Sequence, residues 1–170
     1  IEEKKKLCLA TSIFSLKSIK NPNKAQLNVV ETWEKPFPVV YGAEQLDAGA
    51  HAVSSLEAAI AALKKGQIDV LVTAPIHKKN IQSETFVFPG HTDYLNQKLE
   101  GNSLMFMVTD SLKVALMSDH IPLREVVSYL TEEKITSKIN LLEKSLQQDF
   151  GVQCPKIAIL GINPHSGDNG

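Results

Sequence analysis

The sequence predicts an α/β fold, a mixed but mostly parallel sheet flanked by helices, on three observations. Residues 43–65 place Ala48, Ala52, Leu56, Ala59, Ile60 and Leu63 on one stripe at helical spacing, and after Gly66 the run 68–73 (IDVLVT) is continuous and β-rich. The order returns later as a helical pattern from Thr131, a glycine at 151 and the apolar run 156–161 (KIAILG). Helix, turn and buried strand in alternation mark an α/β protein. Third, four of the five histidines, His77, His91, His120 and His165, lie close to Pro or Gly at the ends of apolar runs. Ligand-binding groups collect at strand ends in such folds.

Residues 7–16 fit a short strand or a helix, and Asn21-Pro22-Asn23 is a turn. Residues 26–31 (QLNVVE) read as a strand, and 35–38, with two prolines, as an extended loop leading to Val39, Val40 and Tyr41. The small alanines of 43–65 let that helix approach a neighbour closely, and Gly66 stops it. The run 68–73 suits a strand buried on both faces, ended by Pro75. A loop over 85–89 reaches Gly90, and a helix is expected at 92–99, closing at Gly101. Residues 103–108 and 112–117 flank Thr109-Asp110-Ser111 as an antiparallel hairpin, which makes the sheet mixed. Thr131 is the expected N-cap of the next helix, with Glu132 and Glu133 favouring its dipole. Ile135, Ile139, Leu142 and Leu146 form its buried stripe as far as Gly151. After Pro155, 156–161 is the second fully buried strand. The polar residues 166–170 have the composition of an anion nest or of a plain flexible loop. A helix is expected beyond them, so the chain reads as incomplete.

Composition narrows the function. At 170 residues, 43% hydrophobic and 22% charged, the chain is ordinary for one globular domain or a piece of a larger one. A net charge of −1 and 6% aromatic residues give neither the electrostatic footprint nor the stacking surface of a nucleic-acid binder. Lys4, Lys5 and Lys6 follow Glu2 and Glu3, a solvated mixed run. Cys8 and Cys154 form no CxxC and read as reduced, partly buried thiols. No apolar stretch nears the roughly 20 residues of a membrane span, and the start lacks a signal-peptide pattern. A cytoplasmic protein with neither membrane nor nucleic-acid partner is expected. With no P-loop, GxGxxG or GxSxG, nucleotide hydrolysis and serine-hydrolase chemistry lose support.

The candidate chemistry sits in four turns: TAPIHK at 73–78, FPGHTD at 88–93, SDHIPL at 118–123 and NPHSG at 163–167. His91 and Thr92 stand at a glycine-to-helix junction. Backbone N–H groups there, with a hydroxyl and an imidazole, suit an anionic or hydroxylated small molecule; equally, Thr92 fits an N-cap and His91 a packing role. His120 and His165 follow strands, where neutral imidazole binds divalent metal. A single loop histidine is more commonly structural, and the parallel placement of two favours ligation without deciding it. Lys78 and Lys79 offer a cation to a phosphate, or are exposed lysines after a turn. Asp119 either orients an imidazole or caps its loop. Asn163, leading through Pro164 to His165, joins the candidates, whereas His51 in the Ala-rich helix is structural or solvent-facing.

Taken together, TAPIHK, FPGHTDYL, VALMSDHIPLREV and LGINPHSGDNG, in this order and spacing, resemble the 4-hydroxythreonine-4-phosphate dehydrogenases of vitamin B6 biosynthesis. The resemblance runs from about Gln45 to Gly170 and is vague over 1–40. It implies a two-domain fold like isocitrate and isopropylmalate dehydrogenases, and a homodimer with an active site shared across the interface. It implies NAD(P)-dependent oxidation of 4-phosphooxy-L-threonine, a small phosphorylated amino acid, to a β-keto acid that decarboxylates. His91 and Thr92 would touch substrate, and His120 and His165 would be two of three ligands to Zn²⁺, Mg²⁺ or Co²⁺. The family's third ligand, its N-terminal Gly-rich strand and turn, and its C-terminal half have no counterpart here. The expected layout is an incomplete N-terminal segment at 1–40 and an α/β core at 41–170, inactive alone, with no general base assigned. Three alternatives remain: a dehydrogenase of threonate or erythronate 4-phosphate, a metal-free phosphate acetyltransferase of the same fold, or a non-catalytic fragment. In the last, helix 43–65 and hairpin 103–117 would form a dimerisation or partner-binding interface.

Overall fold

The structure, a computed structural model, describes residues 12–34, 37–165 and 167–168. The chain divides into two compact units, Ile1–Gly101 and Asn102–Gly170.

In the first unit, β1 (Ile13–Leu16) pairs in parallel with β2 (Leu27–Val30), Ile13 opposite Leu27. The strand expected at 26–31 is therefore present. Residues 7–11 of the undecided leading segment, with Cys8 and the basic run, lie outside the described residues. The turn between the strands is pinned by Asn28, whose Oδ1 accepts from the Asn23 amide at 2.8 Å and whose Nδ2 donates to the Asn23 carbonyl at 2.8 Å.

Helix α1 (Leu46–Lys64) starts after Gln45, whose side-chain amide ties the preceding loop by bonds of 2.8 Å to Val40 N and Pro38 O. It ends in a Schellman turn. Gly66, at φ +62°, donates to Leu63 O at 2.9 Å, and Gln67 donates to Ala62 O at 2.9 Å. Leu56 and Ile60 on its inner face join Ile81, Phe86 and Tyr94 in a core edged by Ala52, Val53, Leu71, Ile76, Phe88, Leu95 and Leu99. Gly49 permits the closest approach, since a Cβ there would lie 1.9 Å from the Asn80 carbonyl oxygen. His51 has a structural role, stacking on Trp33 and Phe37 with both ring centroids 4.5 Å away. Helix α2 (His91–Lys98) follows, one residue earlier than expected at each end.

In the second unit, the expected hairpin forms. β3 (Phe106–Val108) pairs antiparallel with β4 (Lys113–Ala115), and Thr109 closes the turn by donating to and accepting from Leu112. A 3₁₀ turn (Leu123–Glu125) leads to the short α3 (Val126–Tyr129) and then to α4 (Glu132–Gln148). Thr131 caps α4 as expected, its Oγ1 accepting from the Lys134 amide at 3.3 Å. Leu146 is buried, and Ile135, Ile139 and Leu142 are half-buried.

Three expectations are corrected. Residues 68–73 and 156–161 are not strands, and much of their apolar surface is exposed: Val72 is 88% and Leu160 90% exposed, while Ile68, Leu71 and Ile157 are half-buried. A parallel strand buried on both faces needs ladder neighbours and covering helices, and neither run has a ladder partner among the described residues. For the same reason the single mixed sheet resolves into two separate two-stranded ladders, one parallel and one antiparallel. Cys154 is free and exposed rather than partly buried. No helix among the described residues is long and apolar enough to cross a membrane.

Candidate functional site

The start of α2 carries the first pair of candidate residues. Its N-cap is Gly90, in extended backbone, so His91 and Thr92 occupy the first two helical positions. Thr92 is thus not the cap but a residue of the first turn, where helix N–H groups lack intrahelical partners. Asp93, in the same turn, is the acidic counterweight to any anion held there.

Two neighbouring segments fix this helix start. Lys78 Cε lies 3.9 Å from where a Cβ on Gly90 would sit, so the lysine runs beside the helix entry. Gln82, which the sequence did not single out, joins the two stretches: its Nε2 donates to Lys78 O at 3.1 Å and to Phe88 O at 2.8 Å. From below, Tyr94 is 2% exposed, packs on Phe86 and Phe88, and donates its hydroxyl to Glu57 Oε1 at 3.1 Å. Burial first, then the bond to Glu57 and that carboxylate's charge, raise the Tyr94 pKa above the ordinary 10.0. His77 and Lys79 turn instead to Glu44, at 3.7 and 3.1 Å. Lys79 is thereby an ion-pair partner of the loop that leads into α1.

In the second unit, His120 has φ +56°, the one non-glycine residue at positive φ among those described. That conformation costs about 1–3 kcal/mol and persists only where surroundings over-determine it. Asp119 pairs with Lys138 of α4, its Oδ1 3.5 Å from Nζ. No contact between Asp119 and the imidazole accompanies that pair.

His165 is set by its own turn. Asn163 Oδ1 accepts from the His165 amide at 2.9 Å, and His165 Nδ1 lies 2.8 Å from Asp168 Oδ2. A carboxylate on Nδ1 fixes the tautomer that leaves Nε2 free for a cation, the usual outer partner of a metal-bound imidazole. Asp168, three residues after His165, was not singled out in the sequence. Ser166, Asn169 and Gly170 of the suggested anion nest lie outside the described residues.

The structure thus gathers Lys78, His91 and Thr92 at one helix start, and Asn163 and Asp168 around His165. Imidazoles on rigid turns, one with a carboxylate behind it, have the donor chemistry for Zn²⁺ or Co²⁺. No group of three His, Cys, Asp or Glu among the described residues is placed to hold a metal.

Comparison with known proteins agrees across the chain. The sequence pattern of the family described as pyridoxal phosphate biosynthetic protein PdxA matches residues 2–170. A 4-hydroxythreonine-4-phosphate dehydrogenase of Bacteroides thetaiotaomicron is 44% identical over 147 residues, 85% of this chain and 40% of that protein. One from Sulfurihydrogenibium is 37% identical over 172 residues, 100% of this chain and 53% of its own. The crystal structure of a 4-hydroxythreonine-4-phosphate dehydrogenase from Klebsiella pneumoniae superposes with a TM-score of 0.78 at 27% identity, covering 94% of this chain and 49% of that one. The chain spans about half the length of these relatives. The α/β fold is that of the PdxA structures, and the chain belongs to the PdxA family.

Proposed function

We propose that the protein carrying this chain is an NAD(P)-dependent dehydrogenase. Its reaction oxidises the C3 hydroxyl of 4-phosphooxy-L-threonine to 2-amino-3-oxo-4-phosphooxybutanoate, which decarboxylates to 3-amino-2-oxopropyl phosphate in pyridoxal phosphate biosynthesis. The observation that carries the reading is the family match over residues 2–170, a span that contains the four histidine-bearing turns. In this reading residues 41–170 form the part that bears the substrate and metal motifs. The finer kinship of the fold is with isocitrate and isopropylmalate dehydrogenases. The working enzyme is a cytoplasmic homodimer whose active site is shared across the interface.

Each part of the chain has a task. First-turn N–H groups of α2 and the Thr92 hydroxyl donate to an oxygen-rich group of the substrate, and His91 adds an imidazole donor. Lys78, beside Gly90, supplies positive charge to the phosphorylated end. Gln82 and Tyr94 keep that helix start in place. His120 and His165 offer neutral imidazoles to a divalent cation, Zn²⁺, Mg²⁺ or Co²⁺, with Asn163 and Asp168 orienting His165. A cation bound there supplies Lewis acidity beside the hydroxyl to be oxidised. NAD or NADP is the hydride acceptor, and no residue of this chain is assigned to it.

The test is a substrate and metal panel on the intact protein. Reduced nicotinamide should accumulate with 4-phosphooxy-L-threonine, cease after chelation and return with one of the three cations. Turnover confined to threonate or erythronate 4-phosphate would replace the substrate assignment. Full turnover in chelator would remove the metal from it.

A further inference from the structure

We propose that Lys138 is a positioning residue for His120, holding the left-handed turn that presents its imidazole. The inference rests on the reading of His120 as a metal ligand and adds a residue which that reading does not contain. Leu116 leaves the hairpin fixed, its amide donating to Met105 O at 3.1 Å. Three residues separate it from His120, where the chain takes φ +56°. Lys138 reaches this turn at both ends. Its Nζ lies 3.4 Å from the Leu116 carbonyl oxygen and 3.5 Å from Asp119 Oδ1.

The brace is sheltered. The side chain of Lys138 is 15% exposed and that of Asp119 22%. A lysine is rarely buried without a partner that needs it. Its place on α4 explains the reach: Lys138 follows Ile135 by three residues and precedes Leu142 by four, so it shares the inner face of the helix with the apolar stripe. The ammonium is thus delivered from a capped helix into the turn. Asp119, tethered from that side, is the residue immediately before the histidine. Loss of the tether frees the turn to relax toward ordinary negative φ, which re-aims the Cα–Cβ bond of His120.

Metal affinity of the intact protein tests this, read with Co²⁺ by its visible ligand-field absorption and by competition with a chromophoric chelator. Removing outer partners of metal ligands commonly costs about tenfold to a hundredfold in affinity. Lys138→Met should therefore weaken Co²⁺ binding by about tenfold or more and change the absorption envelope. Lys138→Arg, which keeps a cation in reach, should stay within about threefold of wild type. The double variant Asp119→Asn with Lys138→Met should bind no more weakly than Lys138→Met alone, because the two residues act as one device. It also removes the unpaired carboxylate, so it serves if the single variant folds poorly. His120→Ala is the reference. If it leaves Co²⁺ affinity unchanged, the metal reading of His120 fails and takes this inference with it. If it weakens binding while both methionine variants bind as wild type, Lys138 is only a structural residue and the proposal is overturned.

Discussion

Tyr94 shows how a single side chain couples packing to a candidate site. Its ring lies 2% exposed against Phe86 and Phe88, and its hydroxyl crosses to Glu57 on α1, so this residue ties the helix bearing His91 and Thr92 to α1. Tyr94→Phe keeps the ring and removes the bond, which should cost about 0.5–1.5 kcal/mol at neutral pH. The raised pKa sets the pH dependence. The folded state keeps the phenol proton more tightly than the unfolded state, so the contribution is complete below the ordinary tyrosine value of 10.0 and is lost as pH rises through the folded value. Denaturant melts from about pH 9 to about pH 11 should show the wild type losing its advantage over Tyr94→Phe. A gap between the two that is constant over that range would detach the effect from Tyr94 ionisation. Single residues of the site differed in how far the sequence revealed them. The candidates His91, His120 and His165 stood out by nearby Pro and Gly, and Thr92 by following His91. Gln82, Lys138 and Asp168 did not, because their roles are set by carbonyls or side chains that the local pattern leaves unspecified.

Helices and the hairpin followed from local rules, and the structure places them close to where those rules predict. The cap at Thr131, the Gly66 turn and the stripe 135–146 are each decided within a few residues of sequence. The contact between α1 and the loop after His77 is of another kind. Small residues on the helix foretold a close neighbour without naming it, and the structure shows that the neighbour is backbone. A Cβ on Gly49 would stand 1.9 Å from the Asn80 carbonyl oxygen and 2.5 Å from its carbon. Ordinarily a glycine-to-alanine change inside a helix stabilises by about 0.5–1 kcal/mol. Here the sign should reverse, since no rotamer change relieves a clash with main chain. Gly49→Ala is expected to destabilise by about 1–3 kcal/mol, the usual range for overpacking, lowering the urea midpoint with little change in slope. Because Asn80 also accepts no slack on its other side, donating to Gln45 O at 3.4 Å, the shift should pass into the 77–82 turn and Lys78. A neutral or stabilising Gly49→Ala would mean that α1 stands farther from that loop.

The β-rich runs at 68–73 and 156–161 failed as strands for a physical reason that reaches across the molecule. Their composition does specify burial, but a buried parallel strand is made by its neighbours, and pairing cannot be read from one run alone. Each run instead leaves apolar side chains in water, Val70 at 73%, Val72 at 88%, Ile159 at 59% and Leu160 at 90% exposure. Exposed apolar segments of this length mark contacts waiting to form, or association between copies. A single charge placed there should therefore act oppositely in two settings. In the 170-residue polypeptide, Val72→Lys should leave stability within about 0.5 kcal/mol, as surface changes do, and reduce self-association measured by light scattering. In a chain of the relatives' length, about twice this one, the same lysine is expected to enter a paired and covered strand. There it should cost several kcal/mol, on the order of a buried unpaired charge, and lower the melting temperature sharply. Equal and small effects in both settings would show that residue 72 stays at the surface in the whole protein. The run 68–73 would then belong to a loop whose apolar composition needs another explanation.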